Sequence, residues 1–322
     1  MKLSVFAILT ISICLAADTV YSSELTTIRQ LISRIQFYQL MNGVKLVFLP
    51  QHHSPTFAAV FSVMVGSVDE PKGKKGIAHF LEHLAFKGTK TVGTFNYELE
   101  AKLLDEAWKL ERKQITGQIS ADEKKKLKDL RKNLRSLWKT EEFQARLANL
   151  GGGSINATTS ADFTNYIGKY PAESVNEWIS LELDRFLNLV PRQFHEEMRV
   201  IFEEREMRVT NNPLGKMYEH FIRLAFPDHP YGYPVIGYVE DLKNLTPQDL
   251  LTFHNNHYKG QKVALSIVGH LDNKAIEAMI IPGLLKIEPD GSNETSLDPK
   301  TRFDKHLFVR NNFGTKAMLV GY

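Results

Sequence analysis

The sequence predicts an α+β protein. Two patterns carry that expectation: short runs with apolar residues at alternate positions, bounded by Gly or Pro, and longer segments with apolar residues three and four apart. At 322 residues the chain is long enough for a sizeable core. Its 43% hydrophobic and 24% charged content is that of a soluble globular protein, and a net charge of +3, small for this length, argues for neither nucleic acid nor an anionic membrane as partner.

The elements follow in order. Lys2, the apolar run Leu3 to Ala17 and the small residues after it have the layout of a secretory signal peptide over residues 1–22, with cleavage after Ala16 or Ser22. The run is short for a bilayer span of about 20 residues, and no later stretch is long enough, so no membrane span is expected after cleavage. Ile13 occupies the place a lipoprotein signal gives to a small residue. Cys14 is the only cysteine and leaves with the signal, so any metal site in the mature protein must use His and carboxylate. The expected location is outside the cytoplasm, periplasmic or extracellular.

Residues 43–50 and 57–65 read as strands ended by Pro50 and Gly66. A breaker-rich loop, 69–76, then leads into a helix that Gly88 closes. That helix contains His79-Phe80-Leu81-Glu82-His83, or H-x-x-E-H. Residues i and i+4 share a helix face about 6 Å apart along the axis, so the two imidazoles can converge on one Zn²⁺. Glu82 lies on the same face and can act as a base toward water held there.

Residues 103–147 are dense in charge, with Leu127, Leu130, Leu134 and Leu137 stepping 3, 4, 3 and Ser120-x-x-Glu123 forming a capping box. They read as a helical hairpin inserted on the surface. Ile155 to Thr159 looks extended after three glycines, and 163–167 is a returning strand. Helices are expected over 173–189, 193–209 and 215–226, then from Thr246 as N-cap with Pro247 in the first turn. Residues 262–268 form a strand, 273–285 a last helix, and 287–303 a linker.

These residues resemble the pitrilysin/insulinase family of zinc peptidases, the inverzincins, in a set of ordered matches over residues 36–275. The matches are Gly66-Ser67 with Asp69-Glu70-Pro71; Gly76 through His83 with Phe86 to Thr89; Gly152 with Asn156-Ala157-Thr158; Glu197 to Arg208; Asn212-Pro213; His229-Pro230-Tyr231 with Ile236-Gly237; and Tyr258 with Val268-Gly269. The resemblance implies a mixed, largely antiparallel sheet with helices packed on one face. It implies a zinc-dependent metalloendopeptidase acting on peptides or unfolded proteins, with His79, His83 and Glu204 as metal ligands, Glu82 as catalytic base and Glu197 supporting the site. Glu197 and Glu204 are seven residues apart and so share a helix face, whereas the rival Glu203 points well round it. Substrate is expected to add as a strand beside Asn156, Ala157 and Thr158, although Asn156 can equally be a plain strand-end residue. His83 and Glu204 are 121 positions apart, more than the family usually shows, and the excess coincides with the 103–147 hairpin.

Family peptidases pair two homologous halves. Residues 304–322 are therefore expected to start a second homologous domain, and a second half or partner subunit of the same family is an expected partner. The alternatives are a non-catalytic partner or scaffold subunit of a two-chain assembly, which a broken motif would mark, and a metal-storage module, which would not need Glu82.

Overall fold

A computed structural model describes residues 30–290. The signal segment 1–22 and the start of a second domain at 304–322 lie outside the described residues, as does most of the 287–303 linker.

Six strands form one sheet: β1 (Gln36–Gln39), β2 (Lys45–Pro50), β3 (Thr56–Val63), β4 (Gly153–Thr159), β5 (Thr164–Pro171) and β6 (Val263–Gly269), in the order β1-β2-β6-β3-β5-β4. Only β2 and β6 pair parallel; every other neighbouring pair is antiparallel. The sheet is thus mixed and largely antiparallel, within an α+β protein. Burial alternates along the strands, as side chains of period two require when one face is covered. Phe57, Ala59, Phe61 and Val63 of β3 are buried with Leu46, Phe48, Leu265 and Ile267, while Ala58 and Val268 face outward.

The covered face packs against α1 (Ile77–Leu84), α4 (Glu142–Asn149), α5 (Val175–Leu187), α6 (Phe194–Arg205) and α9 (Pro247–His257). Between α1 and α4 lie α2 (Tyr97–Ile115) and α3 (Ala121–Leu137); between α6 and α9 lie α7 (Pro213–Ala225) and α8 (Val239–Lys243). The Ser120 and Thr246 capping boxes are both formed.

The segment 103–147 divides in two. The hairpin proper is α2 and α3, and it begins at Tyr97, ahead of the charge-dense run. It has a small core of its own, in which Leu104, Ala107 and Leu110 meet Leu127, Leu130, Leu134 and Val190. The end of the segment is different: α4 sends Phe143 and Leu147 into the main core beneath the sheet. Charge density extends over both parts, and only the tertiary contact separates them.

The packed body also runs past residue 275. Ile276, Ile280, Leu284 and Ile287 are buried, and the Asn42 side chain donates to Leu284 O and Ile287 O, so position 287 belongs to the fold. The expected helix over 273–285 is broken into Asn273–Ala275, a π turn over Ile276–Ile280, and Ile281–Leu284. Pro282 has no N–H for the preceding turn, and the backbone widens ahead of it.

Candidate metal centre and active site

The H-x-x-E-H helix, α1, is short and deeply set. Gly76 at its start adopts φ 94°, and an added Cβ would lie 2.8 Å from Ile236 O, so a side chain is excluded twice over. The buried Glu70 turns back onto this end, its two carboxyl oxygens accepting the N–H groups of Gly76 and Ala78 at 3.0 Å each. Those are orphan donors of the first turn, and a side chain from the loop before the helix satisfies them. Phe80 packs on Phe194 at a centroid distance of 4.8 Å, which fixes α1 against the start of α6.

His79 and His83 stand one turn apart, ring centroids 4.7 Å from each other. Glu204 comes to meet them from α6: its carboxylate oxygens lie 3.7 Å from His79 Nε2 and 3.4 Å from His83 Nε2. The potential ligand atoms of His79, His83 and Glu204 all fall within 4.8 Å of one another, and among the described residues no other group of three His, Cys, Asp or Glu does so. Glu203 is exposed and takes no part.

These separations bear on whether a metal fits. Hydrogen bonds to a charged carboxylate settle near 2.7–2.9 Å. Two ligands about 2.0–2.1 Å from a tetrahedral ion stand about 3.3–3.4 Å apart. The observed 3.4 and 3.7 Å match the second geometry better. The donor set of two imidazoles and one carboxylate, with no sulfur, suits zinc with one open position.

Glu197, two turns before Glu204, reaches the other ring nitrogen, His83 Nδ1, at 3.4 Å and accepts an ion pair from Lys87 at 2.9 Å. With Glu197 on the Nδ1 side, Nε2 is the ring nitrogen that faces Glu204 and is placed to ligate. Arg208 pairs with Glu204 at 3.0 Å, just beyond α6, where the helix widens into a π turn over Glu206–Thr210. Burial alone would lower the pKa of His83, but Glu197 and Glu204 outweigh it and hold the ring up to about 9. Burial, with the neighbouring His83, pulls His79 down to about 4. Burial raises Glu82 above the usual carboxylate range. Three carboxylates thus surround two imidazoles, an electrostatic environment that favours a cation.

Glu82 sits beside this cluster and accepts a hydrogen bond from Thr159 Oγ1 at 2.5 Å. Thr159 ends β4, the edge strand of the sheet. Among the described residues β4 pairs only with β5, so its other edge is free. Asn156, Ala157 and Thr158 lie on this strand, with Asn156 and Thr158 exposed and Ala157 packed against the core.

Three residues at the site were not anticipated from sequence: Lys87, Arg208 and Thr159. The first two carried a readable signal, each standing four residues, one helical turn, beyond an expected ligand. Thr159 carried only strand alternation, which puts it on the face of Ile155 and Ala157.

Residues 46–107 match the family model described as "Insulinase (Peptidase family M16)". The chain is 29% identical over 240 residues to the zinc protease PqqE of Helicobacter pylori, which covers 74% of this chain and 44% of that protein. It thus spans less than half the length of this relative. The fold is shared with the crystal structure of a protease from Helicobacter pylori, at TM-score 0.62, 24% identity, and coverage of 83% of this chain and 54% of that one. It is shared equally with the first half of the periplasmic protease PqqL from Escherichia coli, at TM-score 0.62, 19% identity, and coverage of 84% and 50%. The sequence relatives and the family model agree with the motif order and the sheet, and on all four counts the chain is similar to the insulinase family, peptidase family M16.

Proposed function

We propose that this protein is a zinc-dependent metalloendopeptidase that hydrolyses peptides or unfolded proteins outside the cytoplasm. The observation that carries the reading is the convergence of His79, His83 and Glu204 with Glu82 alongside. In this reading His79, His83 and Glu204 hold Zn²⁺, and Glu197 orients His83. Zinc, when bound, polarises a carbonyl and lowers the pKa of water to about 7. Glu82 takes the proton from the attacking water and returns it to the leaving amine. Its raised pKa favours that exchange, because a base must also serve as an acid near neutral pH. A substrate strand docks on the free edge of β4 at Asn156, Ala157 and Thr158, where backbone hydrogen bonds give affinity without dictating side chains.

The location rests on the signal-like residues 1–22 and on the fold shared with half of a periplasmic protease. No helix among the described residues is long and apolar enough to cross a membrane. In the same reading a second half, or a partner subunit of the family, closes over the site and excludes water from it. A solved "peptidase M16 inactive domain" from Pseudomonas fluorescens, at 13% identity and TM-score 0.62, keeps a scaffold role as the second reading.

Turnover of an unstructured peptide by the zinc-loaded protein, alone and with a second-half protein added, separates the two. A peptidase shows chelator-sensitive cleavage that Glu82→Gln abolishes while zinc stays bound. A scaffold shows zinc-independent assembly and no cleavage in any combination.

A further inference from the structure

We infer that Thr159 is a positioning residue for Glu82, tying the orientation of the base to the edge strand on which substrate is proposed to dock. The inference rests on the reading of Glu82 as the base. Glu82 is buried, yet its side chain has several rotatable bonds and no ion pair of hydrogen-bonding length. Among the described residues the one hydrogen bond to its carboxylate comes from Thr159 Oγ1. A hydroxyl has a single proton to donate. The competing acceptor, Thr164 Oγ1, is 3.5 Å away and itself donates to Val65 O at 3.0 Å, so the Thr159 proton goes to Glu82.

The hydroxyl is held in place by the backbone beneath it. Thr159 faces Thr164 in the last rung of the β4–β5 ladder, next to the turn at 160–163. That turn is fastened at several points. Ser67 N and Val68 N donate to Ser160 O and Ala161 O at 3.1 and 3.0 Å. Gly66 allows this approach, since an added Cβ would lie 2.4 Å from both carbonyl oxygens. Tyr231 Oη donates to Asp162 at 2.7 Å, bringing in the His229-Pro230-Tyr231 loop. A strand laid along β4 therefore adds to an element whose final side chain grips the base. Small errors in the placement of a reacting group can cost up to about a hundredfold in rate.

The experiment compares Thr159→Val, which keeps the β-branched shape and removes the hydroxyl, with Thr159→Ser, which keeps the hydroxyl. Each zinc-loaded full chain is assayed on an unstructured fluorogenic peptide, and each is crystallised to place the Glu82 carboxylate. Thr159→Val is expected to lose tenfold to a hundredfold in kcat, with KM within about twofold and zinc still near one per chain. Thr159→Ser is expected to recover most of the rate. In the crystals, Glu82 should be swung away or spread over several rotamers in Thr159→Val and unchanged in Thr159→Ser. A Thr159→Val protein with wild-type kcat, or with Glu82 in its original place, overturns the inference. Should the wild type and Glu82→Gln both bind zinc and be equally inert even with a second-half protein added, the reading of Glu82 as base fails. The position of Glu82 in the two crystals then decides the role of Thr159 alone.

Discussion

Two pairs of helices in this molecule are held together by opposite means. α1 and α6, which bring the candidate ligands together, sit under the sheet. α1 buries seven of its eight residues, and its polar side chains are turned into the site. α2 and α3, which make the hairpin, are mostly solvated: α3 buries three leucines of its seventeen residues. Charge pairs hem the seam, among them Lys113–Glu123, Lys126–Glu106 and Arg131–Glu111. The difference teaches where precision is needed. A ligand helix tolerates little slack, and a close-packed apolar interface supplies that rigidity. A surface hairpin needs only a leucine seam and solubility.

The two regions nevertheless meet at one costly joint. Arg192, on the segment leading into α6, and Glu100 on α2 are both fully buried, paired at 2.6 Å. Arg192 also donates to Thr89 O and Val92 O, and Trp138 Nε1 donates to Glu100. Glu111 adds a second tie, accepting from Arg131 and hydrogen-bonding His195, two residues before Glu197. The hairpin is therefore fastened to both the loop after α1 and the start of α6.

Excising the whole of 103–147 for a Gly/Ser linker is expected to have the largest effect. It removes Phe143 and Leu147 from the main core, at about 2–5 kcal/mol each, against a typical total of about 5–15 kcal/mol. Circular dichroism should show no cooperative melt; a cooperative melt with retained zinc would mean that α4 is dispensable and the contrast false.

Next comes Arg192→Met, expected to cost about 3–5 kcal/mol in denaturant unfolding because Glu100 is left buried and unpaired. Adding Glu100→Leu should restore much of it. Failure of the second change to compensate would mean that the other Arg192 contacts, not the charge pair, make the joint.

A smaller effect is pH-dependent. Burial would raise the pKa of Glu111, but His195 and Arg131 hold it below its ordinary 4.5. The folded state thus binds fewer protons than the unfolded chain below about 4.5. The contribution is present above that pH and fades as pH falls through the depressed value. Wild type should lose more stability than Glu111→Gln on acidification from pH 5, and equal slopes would dismiss the second tie. Smallest of all, Lys109→Ala breaks an exposed i,i+4 pair with Asp105 and should change stability by less than about 0.5 kcal/mol.

Much of this was legible in the sequence because the signals are local. Period-two runs ended by Pro50, Gly66 and Gly269 are the strands, and Ser120 and Thr246 cap the helices expected of them. The pairing of Glu204 rather than Glu203 with the histidines is what the family resemblance implies, and helical phase relative to Glu197 agrees with it. What could not be read is contact across long separations. Arg192 finds Glu100 over 92 positions, and nothing in either neighbourhood marks them. Phe143 and Leu147 stand among charges like those of the hairpin, so local composition hid their burial. Thr159 lies in a run with Thr158 and Ser160 that offers three similar hydroxyls, and only the sheet face selects one.

The most direct test of the account is the zinc content of the purified protein beside Glu204→Gln and Glu203→Gln, measured by elemental analysis. About one zinc per chain is expected in the wild type and in Glu203→Gln, and little in Glu204→Gln. A wild type without zinc, or a Glu204→Gln protein that keeps its metal while Glu203→Gln loses it, would contradict the site as built here.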